Sequence, residues 1–278
     1  MALLYGKPIA DKILSETQER IAAAGIAPGL AVILVGDDTS SHLYVNLKEK
    51  AAQAVGIYFE KFLFPAATAT DDVTRRIDTL NQRGDIHGII VQLPLPEGLD
   101  TDEIIARIDP NKDTDGFHEE TLRRFFTGDI EACPVFPRAM LELLRTGRGY
   151  YIGEKGLVIA NSDLLGKIMA QALALEGLAS EYILSSEKKE IIAEKTQAAR
   201  VVVTACGIAN LITGEMLAPE SIVIDGGISH LDGKVVGDVH HASVVNKAKW
   251  LSPVPGGVGP VTVASLLARV TDAALKKN

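Results

Sequence analysis

The chain has 278 residues, 47% of them hydrophobic and 23% charged, with a formal net charge of −8 at pH 7. That balance is the mark of a globular protein, and the acidity argues against nucleic acid or an anionic membrane as the main partner. No window approaches the roughly 20 apolar residues of a membrane span. The opening run Met1-Ala2-Leu3-Leu4-Tyr5 is too short for a signal peptide. Cys133 and Cys206 lie far apart without metal-ligand spacing. The expectation is a cytoplasmic protein in a reducing compartment.

In chain order, Leu30 to Gly36 reads as a buried strand, followed by a helix over 40–55. Tyr58 to Phe64 alternates like a strand, 71–83 looks helical, and His87 to Leu93 is another buried strand stopped by Pro94 and Pro96. The pattern starts again near residue 150. Gly156 to Ala160 reads as a strand with a helix from about Ser162. Tyr182 to Leu184, Arg200 to Thr204 and Ser221 to Asp225 are further strands, and Lys234 to Asp238 is expected as the last. Strands alternating with helices predict an α/β fold with a mostly parallel sheet. Two lobes are expected with a cleft between them, their boundary in a helix beginning near Arg138.

Near the C-terminus, Pro253-Val254-Pro255-Gly256-Gly257-Val258-Gly259-Pro260 packs three prolines and three glycines into eight residues. Such a run can propagate neither helix nor strand, and its glycines admit close approach by a ligand. A stiff interdomain turn is the alternative reading. Pro260 stands where a first-turn proline belongs, ahead of an apolar helical run.

Ser41, Tyr44 and Lys48 share one face of the helix predicted over 40–55. A lysine there becomes a general acid/base only if burial or neighbours lower its pKa, and the tyrosine one turn away can orient its amine. The competing reading is an ordinary solvated lysine. Gln92 ends a buried strand, where ligands gather in open α/β sheets; the alternative is a side chain bonded to its own loop. Asp113 and Asp115 bring two carboxylates into the turn-rich stretch Pro110 to Phe117, able to hold a metal, cap a helix or bind the amino edge of a heterocycle. No third ligand has calcium-loop spacing. Adjacent His240 and His241 diverge, which favours solvation over metal binding. Ala160 to Gly166 joins a strand to a helix where a dinucleotide-binding unit places its phosphate loop, although only one glycine remains.

Together these segments resemble the bifunctional methylenetetrahydrofolate dehydrogenase/methenyltetrahydrofolate cyclohydrolase family. The resemblance rests on four ordered motifs: Ser41-x-x-Tyr44-Val45-x-x-Lys48-x-Lys50, Val91-Gln92-Leu93-Pro94-Leu95-Pro96, Lys112-Asp113-x-Asp115-Gly116-Phe117, and Pro253 to Pro260 running into Thr262-Val263-Ala264. It implies an N-terminal α/β folate-binding lobe over 1–140, with a C-terminal helix over 261–278 packing back onto it, and a Rossmann-like NAD(P)-binding lobe over 141–260. It also implies oxidation of 5,10-methylenetetrahydrofolate with NAD or NADP, then hydrolysis of the methenyl product to 10-formyltetrahydrofolate, without a metal. By the same carry-over Lys48 moves protons during hydrolysis, Tyr44 and Gln92 position and tune it, and Asp115 holds the amino edge of the pterin. Ser41, Leu93, Pro94, Pro255, Gly256 and Gly257 would line the folate site. Ala160, Asn161, Ser162, Gly166, Ser185, Ser186, Glu187 and Ile228 would meet the nucleotide. Members of the family are commonly homodimers.

The chain departs from the family where it should hold cofactor. The usual Gly-Arg-Ser-x-(Ile/Val)-Val-Gly-x-Pro reads Ala160-Asn161-Ser162-Asp163-Leu164-Leu165-Gly166-Lys167-Ile168. Ala160 adds a methyl, and Asn161 cannot make the charge-assisted fork an arginine offers a 2′-phosphate. Glu187 is placed to accept from a free ribose 2′-hydroxyl, which favours NAD, while Lys188 and Lys189 can serve a phosphate. Three readings result: a bifunctional enzyme with shifted cofactor preference, an enzyme retaining mainly cyclohydrolase activity, and a folate-binding protein without turnover.

Overall fold

The computed structural model describes residues 1–277 except for the Arg148 side chain; Asn278, the end of the expected helix 261–278, lies outside them. The strands are β1 (Ala2–Leu3), β2 (Gly29–Val35), β3 (Tyr58–Phe64), β4 (Gly88–Val91), β5 (Lys155–Ala160), β6 (Ala179–Leu184), β7 (Val201–Ala205), β8 (Ser221–Asp225), β9 (Ser229–Leu231), β10 (Lys234–Val236) and β11 (Ala248–Leu251). The helices are α1 (Lys7–Ala24), α2 (Thr39–Val55), α3 (Thr70–Gln82), α4 (Thr101–Ala106), α5 (Glu119–Phe126), α6 (Val135–Arg145), α7 (Asp163–Leu175), α8 (Lys189–Gln197), α9 (His241–Val244) and α10 (Val258–Lys277).

The chain divides into two compact units: Met1–Ala10 with Gly128–Thr262, and Asp11–Thr127 with Val263–Asn278. This division differs from a boundary near 140. Helix α6 buries Met140, Leu141, Leu143 and Leu144, and the Met140 side chain packs against Gly226 at the end of β8, so it belongs with the second sheet. The N-terminal strand β1 also joins that sheet, through β11.

The unit built on Asp11–Thr127 holds a parallel three-stranded sheet in the order β3-β2-β4. All seven residues of β2 are buried, as expected of a central parallel strand covered on both faces. Ala31, Ile33 and Val35 pack with Val73, Ile77 and Leu80 of α3, three positions spaced along one helical stripe. Helix α2 starts where Asp38 accepts the Ser41 N–H at 2.7 Å and stops at left-handed Gly56.

The other unit holds a parallel six-stranded sheet in the order β1-β11-β8-β7-β5-β6. From β5 the chain moves outward to β6, then returns to the opposite side of β5 for β7. That reversal of direction defines a switch point between the carboxyl ends of β5 and β7. Lys234 to Asp238 is not the last strand of this sheet. Residues 234–236 pair antiparallel with β9 in a separate hairpin, because Asp232 (φ 50°) and Gly233 (φ 73°) form its two-residue left-handed turn. Beyond β8 the sheet is completed by β11 and, at its edge, β1, short strands that the sequence pattern does not announce.

Two other expectations need revision. Helix α10 begins at Val258, so the last three residues of the proline–glycine run are helical, with Pro260 in the first turn. The same helix has the length and apolarity of a membrane span, contrary to the sequence reading; 56% of its apolar window is buried within the fold, as in a core helix.

Candidate active site

Lys48 and Gln92 meet at the carboxyl edge of the three-stranded sheet. Lys48 stands on α2, one turn beyond Tyr44, and its Nζ donates to Gln92 Oε1 at 2.9 Å. Gln92 follows β4, and its backbone N–H continues the sheet ladder to Ile33 O at 2.8 Å. Its Nε2 donates to the Leu93 carbonyl at 2.7 Å. The carboxamide is thereby oriented: its oxygen faces the lysine and its NH₂ faces the loop. Gln92 thus makes the loop hydrogen bond of the alternative reading and also accepts from the Lys48 amine.

Asp115 completes the electrostatic set. Its loop is tied to the sheet by Ile89 N–H donating to Lys112 O at 2.8 Å. Asp113 is buried and accepts from Gly116 N at 2.8 Å and His118 N at 3.0 Å. Lys112 donates its ammonium to the carbonyls of Leu80, Asn81 and Arg83, at the end of α3. These two residues build the loop and Asp115 is what it presents. The residues alone do not tell the two carboxylates apart; the family resemblance singles out Asp115, and the main-chain geometry gives Asp113 its separate part.

The ionisation of Lys48, Asp115 and nearby Tyr44 is shifted. Burial lowers the Lys48 pKa, and the Asp115 charge pulls it part of the way back. Burial raises the Asp115 carboxyl and Asp113 adds to the rise, while Lys48 and Arg269 favour its charged form. Burial also raises the Tyr44 phenol. A lysine with a lowered pKa, held by a neutral amide acceptor, is better suited to take and return a proton than a solvated one.

Around this set, Ser41 is buried in the first turn of α2, while Leu93 and Pro94 are exposed just past Gln92. Leu43 (58% exposed) and Leu47 (56%) flank Tyr44 and Lys48 along α2. The sequence reading passed over these two leucines. Their exposure beside half-buried polar groups offers an apolar surface to a ring system. Pro255, Gly256 and Gly257 belong to the six-stranded unit, where Gly256, at φ 104°, accepts the Gly6 N–H at 2.8 Å.

At the switch point of the larger sheet, Asn161, Ser162 and Asp163 are exposed between β5 and α7. Ser162 Oγ accepts the Leu165 N–H at 3.4 Å and caps the helix. Ala160 is fully buried, its carbonyl bonded to Ser185 N–H at 2.8 Å. Gly166 sits inside α7 against the ring of Tyr182, where a Cβ would lie 2.4 Å from a ring carbon. Its part is helix-to-strand packing, the role of the third glycine in a dinucleotide fold. Ser185 is half-buried, and Ser186 and Glu187 are exposed just after β6. Ile228 is 40% exposed after β8. A helix N-terminus at a switch point, with hydroxyls and a carboxylate beside it, is a donor and acceptor set that fits a dinucleotide. Among the described residues no group of three or more His, Cys, Asp or Glu could hold a metal ion.

Residues 4–115 match the tetrahydrofolate dehydrogenase/cyclohydrolase catalytic domain, and residues 134–278 match that family's NAD(P)-binding domain. The chain belongs to this family. The bifunctional protein FolD of Moorella thermoacetica is 41% identical over 276 residues, covering 98% of each chain. The crystal structure of the bifunctional dehydrogenase/cyclohydrolase FolD of Campylobacter jejuni superimposes with a TM-score of 0.93 at 34% identity, covering 100% of both chains. The Trypanosoma brucei FolD, solved with NADP and an inhibitor, gives 0.94 at 31% identity, covering 99% of this chain and 98% of its own. In the terms of this family, the three-stranded unit carries the catalytic-domain motifs and the six-stranded unit the NAD(P)-binding ones.

Proposed function

We propose that this protein oxidises 5,10-methylenetetrahydrofolate with a nicotinamide dinucleotide and hydrolyses the resulting 5,10-methenyltetrahydrofolate to 10-formyltetrahydrofolate. The Lys48–Gln92 hydrogen bond beside Asp115 carries the hydrolytic half of this reading. Full-length similarity to bifunctional relatives supports both halves.

In hydrolysis, water adds to the amidinium carbon of the methenyl form. Lys48, whose amine gives up its proton more readily because of burial, takes the proton released as the C–O bond forms. It then returns a proton to N5 as the C–N5 bond breaks, leaving the formyl group on N10, while the second proton of the water passes to solvent. Gln92 holds the amine at a fixed distance through its neutral oxygen, so the lysine is oriented without the stabilising charge that would keep it protonated. Asp115 accepts two N–H bonds from the pterin edge. The exposed Leu43 and Leu47 take the apolar part of the folate.

Asn161, Ser162 and the first turn of α7 would hold the dinucleotide pyrophosphate, and Glu187 the adenosine ribose. When bound, the oxidised nicotinamide supplies the hydride acceptor. We infer that NAD is the better cofactor: Asn161 brings no positive charge for a 2′-phosphate, and an exposed carboxylate at Glu187 accepts from a 2′-hydroxyl while repelling a phosphate. Lys188 and Lys189 act in the opposite sense. Family habit supports a cytoplasmic homodimer, which light scattering tests directly.

Initial rates on the purified protein decide the matter. Methylenetetrahydrofolate would be supplied with NAD or NADP, and methenyltetrahydrofolate separately without nucleotide. Both activities are expected, with hydrolysis lost in Lys48→Ala. Hydrolysis without reduction of either cofactor would instead establish a cyclohydrolase whose second unit has lost its redox role. Folate binding with neither turnover would sink the enzymatic reading.

A further inference from the structure

Two buried carboxyl groups, Asp225 and Asp238, lie at the carboxyl edge of the six-stranded sheet and take no part in the chemistry above. Asp225 ends β8, and Asp238 follows the β9–β10 hairpin; they are 3% and 0% exposed. Asp225 Oδ1 accepts from Gly227 N at 3.0 Å, Asp238 N at 3.1 Å and Thr204 Oγ1 at 3.2 Å, and its Oδ2 accepts from Val239 N at 3.0 Å. Asp238 Oδ2 accepts from Cys206 N at 2.7 Å, and its Oδ1 from Ile208 N at 2.8 Å.

These bonds join three segments that follow no common strand. Cys206 to Ile208 leave β7, Gly226 to Ile228 leave β8, and Gly237 to Val239 return from the hairpin. The fit permits no side chain at two of the glycines. A Cβ on Gly227 would lie 2.1 Å from Asp238 Cγ, and one on Gly237 would lie 2.0 Å from Asp225 Oδ2. The carboxylates therefore lie directly against main chain, each oxygen taking an N–H that a buried loop must satisfy. Burying two acids side by side is costly, and a loop that only needed closing would be served by neutral acceptors. What the arrangement achieves is a rigid rim at the sheet edge where an α/β fold binds its nucleotide, with Gly207 and the exposed Ile208 and Ile228 on it.

We propose that Asp238 and Asp225 are positioning residues for the nucleotide, holding the loops after β7 and β8 in the shape that binds it, and that hydrolysis does not depend on them. This rests on the dinucleotide role proposed for the six-stranded unit. Neither residue would touch the reacting atoms. Their effect passes through the backbone at Cys206, Ile208 and Gly227.

The test is Asp238→Asn in the full chain, which keeps the shape but turns one acceptor into a donor facing an N–H. NADH and NADPH affinities would be measured by fluorescence titration, and hydrolysis of methenyltetrahydrofolate without nucleotide. Affinity for the preferred nucleotide is expected to fall about tenfold or more, with hydrolysis unchanged within about twofold. Unchanged nucleotide affinity overturns the proposal, as does a parallel loss of both properties, which would mark the pair as general scaffolding. Should Asp238→Asn fail to fold, Thr204→Val removes only the hydroxyl donor to Asp225. It is expected to weaken nucleotide binding about threefold with hydrolysis intact, and no weakening overturns the proposal. A wild-type protein that binds neither nucleotide overturns the redox function itself, whereas equal binding by wild type and variant overturns the positioning role alone.

Discussion

Lys48 and Gln92 come from different elements 44 residues apart, yet their side chains meet at 2.9 Å. The lysine is brought by the third turn of α2, and the glutamine by the first residue past β4. A neutral acceptor at that distance aligns the amine and leaves its proton affinity to be set by burial and Asp115.

Replacing the amide by a carboxylate should undo that balance. In Gln92→Glu a negative charge beside the amine raises the Lys48 pKa. Hydrolysis by a neutral lysine rises with pH through its pKa, so that limb of the profile moves upward by the same amount. The rate at pH 7 falls about tenfold or more. The pH–rate profile of hydrolysis reads this directly, and an unshifted limb would remove Lys48 from the proton-transfer step.

Thr114 offers a stability test next to the site. It is 2% exposed, and its hydroxyl is buried without a hydrogen-bond partner. A buried hydroxyl left unmade costs about 1–3 kcal/mol, and valine fills nearly the same volume. Thr114→Val is expected to raise the Tm by about 2–4 °C, measured by calorimetry. A lower Tm would mean that the hydroxyl is satisfied.

Asp225 predicts an unusual acid dependence. Burial, and then the charge of Asp238, push its carboxyl up to about 6, above the ~3.9 of an unfolded aspartate. Between those values the folded protein keeps a proton that the unfolded chain has released. This residue's contribution therefore declines as pH rises from about 4 to about 6, by about 2–3 kcal/mol, and is level on either side. Urea unfolding of the wild type and Asp225→Asn across that range should differ in slope, the wild type losing more stability as pH rises. Identical slopes would place the carboxyl at an ordinary value.

On the NAD preference proposed above, cofactor choice turns on Glu187. In Glu187→Ser the acceptor for a 2′-hydroxyl is lost, together with the repulsion of a 2′-phosphate. The ratio of kcat/KM for NADP to that for NAD is expected to rise about tenfold. A ratio that does not move would assign selectivity to Lys188, Lys189 or the loop at Asn161.

The sequence by itself determined the α/β alternation, the placement of most strands, and the residue types of the set proposed for hydrolysis. Those are legible because buried parallel strands such as β2 and β4 are continuous apolar runs and because Ser41, Tyr44 and Lys48 fall on one helical face. It did not show that Asp113 accepts the main-chain N–H groups that shape the loop presenting Asp115. It missed the Asp232-Gly233 turn that takes Lys234 to Val236 out of the main sheet, and it left Asp238 unnoticed. Tertiary structure alone decided these, because each depends on which main-chain N–H groups reach a carboxylate across the fold. Local periodicity records which side of an element is apolar, whereas hydrogen bonds such as that from Cys206 to Asp238, 32 residues apart, exist only once distant loops have been packed against one another.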